Sequence, residues 1–182
     1  MINYLQGDIF EAFERRDFNY LIHQTNCVSG ANVHGIAKEM FKRYPGALRA
    51  HLHNLKTQSL PFFRWSVGDN IINCNSQYYT GEPSGTVISA TGRSYKRGDG
   101  LIQTCTVLVD VDTFDSRMRA LAFILKDVKW LISNKTFGMP LIASKLAADK
   151  KLKGNMSDLE YFKAFIAPTV EEALGDCNVY YL

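Results

Sequence analysis

Two imidazoles, an amide and a glycine-bearing loop stand close together in residues 20 to 46, YLIHQTNCVSGANVHGIAKEMFKRYPG. His23 and His34 can each move a proton near neutral pH, although His23, at a strand end, is better suited to a hydrogen-bonded place in the core, which leaves His34 the stronger candidate for chemistry. An apolar strand here runs into a small polar loop and then a helix. Free backbone N–H groups and the positive end of the helix dipole converge at such a junction, which suits a phosphate or nucleotide. A second polar loop, Ala143 to Gly154, brings Ser144 and several lysines.

Alternating strands and helices must position these groups. Ile2 to Leu5 reads as a strand, Gly7-Asp8 as a turn and Ile9 to Phe13 as a short helix. Tyr20 to His23 is short and apolar, as for a strand covered on both faces. Helices are expected over His34 to Arg43, closed by Pro45-Gly46, and over Ala47 to Leu55. Phe62 to Val67 and Asn70 to Gln77 flank a Gly68-Asp69 corner. Gly81 to Gly100, with Arg93, Lys96 and Arg97 at its basic end, reads as a long loop or a hairpin carrying Ile88. After the β-rich Thr104 to Val111, Asp112 or Thr113 caps a long helix. Its expected core stripe is Phe114, Met118, Leu121, Ala122, Leu125, Val128 and Leu131 or Ile132. Met139 to Ala143 is a buried strand; helices from Ser157 to Ile166 and Thr169 to Leu174 precede a last strand, Val179 to Leu182. The pattern is α/β with helices on both faces of one sheet. Ligands of such sheets sit beyond the carboxyl ends of central strands, so the two polar loops should face one crevice.

The chain has 182 residues, 46% of them hydrophobic and 21% charged, the composition of a globular domain with an ordinary core. A net charge of +3 is compatible with an anionic ligand and too small to argue for direct nucleic-acid binding. Cys27, Cys74, Cys105 and Cys177 are widely spaced without a C-x-x-C pair, so reduced thiols are expected and no metal site. Strand-like sequence follows Met1 within three residues, so no secretory leader is expected, and the apolar runs fall short of a membrane span. A cytoplasmic protein without membrane attachment or cofactor is the expectation.

The segments GDIF (7 to 10), LIHQTNCVSGANVHGIA (21 to 37), RYP (43 to 45), IINCNSQ (71 to 77), MPLIASKLA (139 to 147) and the closing VYYL together resemble a macrodomain from end to end. The first half is most similar to the branch containing ADP-ribose 1''-phosphate phosphatases and terminal ADP-ribose glycohydrolases. The resemblance implies a three-layer α/β/α sandwich with a central mixed sheet. It spans residues 1 to 182 as a single macrodomain, with an elaborated loop or hairpin at about 81 to 100.

It also implies a site. Asp8 would accept a hydrogen bond from the adenine amino group, with the Ile9 N–H on the ring; by itself Asp8 also fits a turn or helix cap. Asn26 would bind the distal ribose, its alternative being to satisfy loop backbone. The loop from Gly30 to Gly35, with Val33 and Ile36, would wrap the distal ribose and diphosphate. Ala143, Ser144, Lys145 and Leu146 would offer backbone N–H groups to phosphates. Several positions depart from the pattern. His34 stands at a glycine position facing the ligand, and Ala143 and Lys145 replace two glycines. Lys145 could carry charge to a phosphate, fill the groove or point into solvent. The lysine and aspartate that glycohydrolases use correspond to Gln77 and Ala147, which can do neither task. His34, Asn26 and His23 remain the catalytic candidates.

Three functions stay open: hydrolysis of ADP-ribose 1''-phosphate or removal of ADP-ribosyl groups, binding of ADP-ribose or a related NAD-derived nucleotide without turnover, and a retuned scaffold. The partner in the first two is the nucleotide, free or on an ADP-ribosylated macromolecule.

Overall fold

Short apolar strands separated by helices build the first of two units, Met1–Ile22 with Leu121–Leu182. In the computed structural model, residues 1–26, 35–56, 63–76, 88–97, 100–108, 114–145 and 148–182 are described. The first unit orders its strands β1 (Ile2–Gln6), β8 (Cys177–Tyr181), β7 (Phe137–Pro140) and β2 (Tyr20–Asn26), all parallel. Leu21, Ile22, Met139 and Val179 are wholly buried, as strands covered on both faces require. β7 ends at Pro140, three residues before the expected Ala143. Proline has no N–H to continue a ladder, and the Ile142 N–H turns back to the Pro140 carbonyl at 2.7 Å.

Helix α1 (Ile9–Glu14) starts at Asp8 and lays Ile9, Phe10 and Ala12 into the core. Helix α4 (Phe114–Leu131) turns a face slightly different from the expected one: Ala120, Ile124, Leu125, Val128 and Ile132 are buried, whereas Phe114, Met118, Leu121 and Ala122 are only half-buried. Residues 120 to 125 are apolar without interruption, so periodicity allows two adjacent stripes and packing selects the one led by the small Ala120. The expected cap at 112 or 113 lies outside the described residues. Within the expected 144 to 154 loop a single helical turn, α5 (Lys150–Lys153), forms on the Asp149 cap. Ser157 and Glu160 then close a capping box on α6 (Asp158–Tyr161), each side chain bonding the other's backbone N–H. A π turn, Phe162–Ile166, leads into α7 (Ala167–Ala173). Pro168 lacks the N–H that a regular turn would give to Ala164, and the Ala167 N–H reaches back to Phe162 instead.

Within the second unit, His23–Ala120, the strand order is the latter part of β2 (from His23), β4 (Ile71–Ser76), β3 (Phe63–Gly68), β6 (Gly100–Leu108) and β5 (Ile88–Arg97). The β4-β3, β3-β6 and β6-β5 pairs are antiparallel. Of the expected loop or hairpin at 81 to 100, residues 88 to 97 form the hairpin strand β5, with an irregularity between Ala90 and Arg93; residues 81 to 87 lie outside the described residues. The β3–β4 turn is Asp69-Asn70, both left-handed at φ 53° and 58°, one residue later than expected. Asp and Asn tolerate this type I′ geometry. Gly68 serves close approach, since a Cβ there would stand 2.4 Å from the Gly46 carbonyl oxygen. Pro45 opens α3 (Pro45–Lys56) directly after α2 (Gly35–Arg43) rather than only closing the latter.

Gly138 and Gly46 offer a contrast in packing. A Cβ on Gly138 would lie 2.5 Å from the ring of Phe18, which is buried and stacked on Phe13 at 5.7 Å, whereas one on Gly46 meets the exposed Asp69 carboxylate. Gly138→Ala is therefore expected to cost about 1–3 kcal/mol in urea unfolding, and Gly46→Ala less because Asp69 can swing away.

Candidate functional site

In the first unit Asp8 is the N-cap of α1. Its Oδ1 accepts the Phe10 N–H at 2.7 Å, with extended backbone at φ −79° and ψ 120°. The cap uses one oxygen; Oδ2 has no partner among the described residues, and a carboxylate accepts several hydrogen bonds. The Ile9 N–H, first in the helix, likewise has no acceptor among the described residues. Asp8 is half-buried and the Ile9 side chain is core, so Ile9 can contribute to a ligand only through its backbone.

The loop after β7 belongs to the same unit. Ala143 has φ 56°, in the left-handed region that the glycine of the family pattern would occupy without strain. Ser144 is buried and its Oγ donates to the Ile142 carbonyl at 3.0 Å. The Lys145 side chain is 72% exposed, its Nζ 3.8 Å from Asp158 Oδ2, which places its charge at the surface. Lys153 and Asp158, which motif reasoning passes over, brace this loop. Lys153 Nζ donates to the Ser144 carbonyl at 2.6 Å and pairs with Asp158 Oδ1. The available signal was the Ser157 capping box, which puts Asp158 at a helix start behind a lysine-rich turn.

In the second unit, β2 carries His23 and Asn26, and Gly35 opens α2. Gly35 has φ 60°, and nothing lies within 4 Å of where a Cβ would stand, so the left-handed glycine borders open space. Ile36 is half-buried and Ala37 is core. Asn26 ends β2. Val33, His34, Leu146, Gln77 and Ala147 lie outside the described residues.

His23 is fully buried, its ring edge-on to Phe41 at 5.6 Å. Phe41 stacks on a second buried imidazole, His51, at 5.2 Å. Removal from water lowers the His23 pKa to about 3; the Asn73 side chain acts in the opposite direction without offsetting it, and His51 adds to the lowering. An imidazole held neutral in this way has packing chemistry and takes up no proton near pH 7. His51 and Asn73 were not singled out from the sequence because a polar residue's burial depends on contacts distant in the chain. Burial also pushes the Cys74 and Cys177 thiols up to about 12, away from thiolate chemistry. Among the described residues no cluster of His, Cys, Asp or Glu has metal-binding geometry, and no helix is long and apolar enough to cross a membrane.

No protein-family profile matches the chain. No curated protein sequence matches it either. Solved structures do. The macrodomain of Mycobacterium tuberculosis DarG aligns with 100% of this chain and 98% of its own length at TM-score 0.57 and 18% identity. That of Thermus aquaticus DarG covers 100% and 99% at TM-score 0.57 and 17% identity. Thermosipho africanus DarTG in complex with ADP-ribose covers 98% of this chain, which spans 41% of that protein, at TM-score 0.54 and 14% identity. The chain has the macrodomain fold, an α/β sandwich on a central mixed sheet.

Two outcomes are expected from these environments. Ala143→Gly should raise stability by up to about 1 kcal/mol in chemical denaturation, because glycine relieves the left-handed strain at some cost in unfolded-state entropy. For His23, the folded pKa near 3 lies below the unfolded value of 6.5. The unfolded chain therefore binds more protons between these values, so this contribution to stability is complete above pH 6.5 and declines as pH falls toward 3. Denaturation midpoints measured across that window should fall less steeply with acid in His23→Phe than in the wild type.

Proposed function

We propose that the protein recognises ADP-ribose or a related NAD-derived nucleotide and hydrolyses a bond at the distal ribose, as an ADP-ribose 1''-phosphate phosphatase or an ADP-ribosyl hydrolase. The observation that carries recognition is the left-handed turn at Ala143, followed by the Ser144 and Lys145 N–H groups, which have no acceptor among the described residues. Successive amides about a left-handed residue form a concavity suited to phosphate oxygens. A glycine at 143 is therefore not required for this backbone shape. Asp8 Oδ2 takes the adenine amino group while Oδ1 holds the helix cap. Asn26, Val33, Gly35 and Ile36 form the ribose and diphosphate side, and Ala143, Ser144, Lys145 and Leu146 the phosphate side. A solved structure of the same fold, the Thermosipho africanus DarTG, is in complex with ADP-ribose, which supports this ligand class.

For turnover, His34 takes a proton from water as its oxygen attacks the phosphorus of a 1''-phosphate or the anomeric carbon of an ADP-ribosyl group. The bond from that phosphorus to the ribose 1''-oxygen, or from that carbon to the macromolecule's linking atom, breaks with its electron pair on the leaving atom; His34 returns the proton to it, and Asn26 holds the ribose in place. The deeply buried His23 takes no part in this scheme. Binding without turnover is the second reading, favoured by Gln77 and Ala147 at the positions of the glycohydrolase lysine and aspartate. In both readings the partner is the nucleotide, free or carried on an ADP-ribosylated macromolecule.

Calorimetric titration with ADP-ribose tests recognition, and product formation from ADP-ribose 1''-phosphate and from ADP-ribosylated protein or DNA tests turnover. Asp8→Ser keeps a helix cap but removes the carboxylate, and should weaken ADP-ribose binding by about 1–3 kcal/mol without unfolding α1. Unchanged affinity would remove adenine from this position. His34→Ala should retain binding and lose turnover; an unimpaired rate would exclude His34 as the base.

A further inference from the structure

Lys153 lies outside every motif of the chain, yet its ammonium reaches into the loop after β7. It ends α5, and Gly154 at φ 49° turns the chain there. The turn is tied down at both ends. Asp149 accepts the N–H groups of Lys151 and Leu152 at 2.9 and 3.0 Å, its own N–H donates to the buried Tyr161 hydroxyl at 3.0 Å, and the Met156 N–H returns to the Lys153 carbonyl at 2.9 Å. So anchored, Lys153 Nζ donates to the Ser144 carbonyl at 2.6 Å and to Asp158, with its side chain 21% exposed.

A trans peptide is planar, with its C=O and N–H pointing in opposite directions. Holding the Ser144 carbonyl toward Lys153 therefore aims the Lys145 N–H away from Lys153. On the preceding turn the Ser144 hydroxyl binds the Ile142 carbonyl at 3.0 Å. Side chains thus take up the Ile142 and Ser144 carbonyls, leaving the Ser144 and Lys145 N–H groups without an acceptor among the described residues. A charge-assisted bond resists rotation of that plane better than a neutral one.

We propose that Lys153 is a positioning residue that fixes the Ser144–Lys145 peptide plane, so that the Lys145 N–H is presented to a phosphate of the ligand. The ligand side of this assignment rests on the proposed ADP-ribose recognition; the orientation of the peptide does not. Asp158 supplies the counter-charge that keeps Lys153 in place, and its other oxygen is the loose partner of Lys145, 3.8 Å away.

The test is two-dimensional amide NMR on the whole 15N-labelled chain, following Ser144, Lys145 and Ile9 during titration with inorganic pyrophosphate, ADP-ribose and adenosine. In the wild type the Ser144 and Lys145 amides should shift with the two phosphate ligands. In Lys153→Met the Lys145 amide should already differ before ligand is added. Its affinity for pyrophosphate and ADP-ribose should fall about tenfold or more, and that for adenosine, read at Ile9, should hold. Lys153→Arg, which retains cationic donors, should recover most of the phosphate affinity. Asp158→Asn should move the Lys145 amide in the same direction as Lys153→Met and serves if the latter does not fold. Loss of all three ligands alike would mark a merely structural role and overturn the proposal, as would a Lys145 amide unmoved in both variants. A wild type that binds neither phosphate ligand would defeat the ADP-ribose reading, while the ligand-free spectra would still decide whether Lys153 orients the peptide.

Discussion

Burial of the short parallel strands on both faces is the constraint from which the first unit's loops follow. Leu21 and Ile22 of β2, Met139 of β7 and Val179 of β8 have no solvent contact, which leaves these strands no polar face along which to lengthen or slip. Their carboxyl ends are consequently sharp, and the backbone released there must find partners at once. β7 shows how: Pro140 stops the ladder, Ile142 turns back on it, and Ala143 enters the left-handed region within three residues of the core. The Gly138 position, against the Phe18 ring, holds β7 close enough to α1 and its flanking chain for that geometry to be repeatable.

Strain at Ala143 and order around it are two sides of one arrangement. A non-glycine residue with positive φ costs about 1–3 kcal/mol and persists only where its surroundings over-determine it. Here the surroundings are specific: the Ser144 hydroxyl on the Ile142 carbonyl, the Lys153 ammonium on the Ser144 carbonyl, the Asp149 cap on the turn that carries Lys153, and the Ser157 cap on α6, which carries Asp158. These bonds hold the left-handed turn without a glycine at position 143. The second unit uses the same device with less strain, since Gly35 adopts φ 60° freely at the start of α2 and Asp69-Asn70 make a tight turn with residues that tolerate it.

The histidines illustrate how burial redistributes chemical roles. In the sequence His23, at a strand end, already reads more as a core residue than His34, which stands in the loop. In the fold His23 is enclosed with Phe41 and His51, where desolvation holds its ring neutral, so its part is in packing the second unit. Proton transfer needs access to water or substrate as well as a suitable side chain.

Much of this protein was legible in its sequence because the signals are local. Apolar runs and periodicity located most strands and helices to within a few residues, whereas β5 lies in a stretch that reads only as a loop or hairpin and β6 begins at Gly100, ahead of the expected Thr104; Gly7-Asp8 marked the start of α1, Ser157 that of α6, and the ordered motifs from GDIF to VYYL pointed to the macrodomain fold. Local chemistry also made Asp8 either a helix cap or an acceptor for a ligand N–H; Oδ1 is the cap, and Oδ2 has no partner among the described residues. What tertiary structure alone decided depends on contacts between residues far apart in the chain. These include which of two apolar stripes α4 buries, that Gly68 meets Gly46 while Asp69-Asn70 turn, that His51 and Asn73 are interior beside His23, and that Lys153 grips the Ser144 carbonyl. A residue's type prescribes the bonds it can make; the packing of distant segments selects the one it does make.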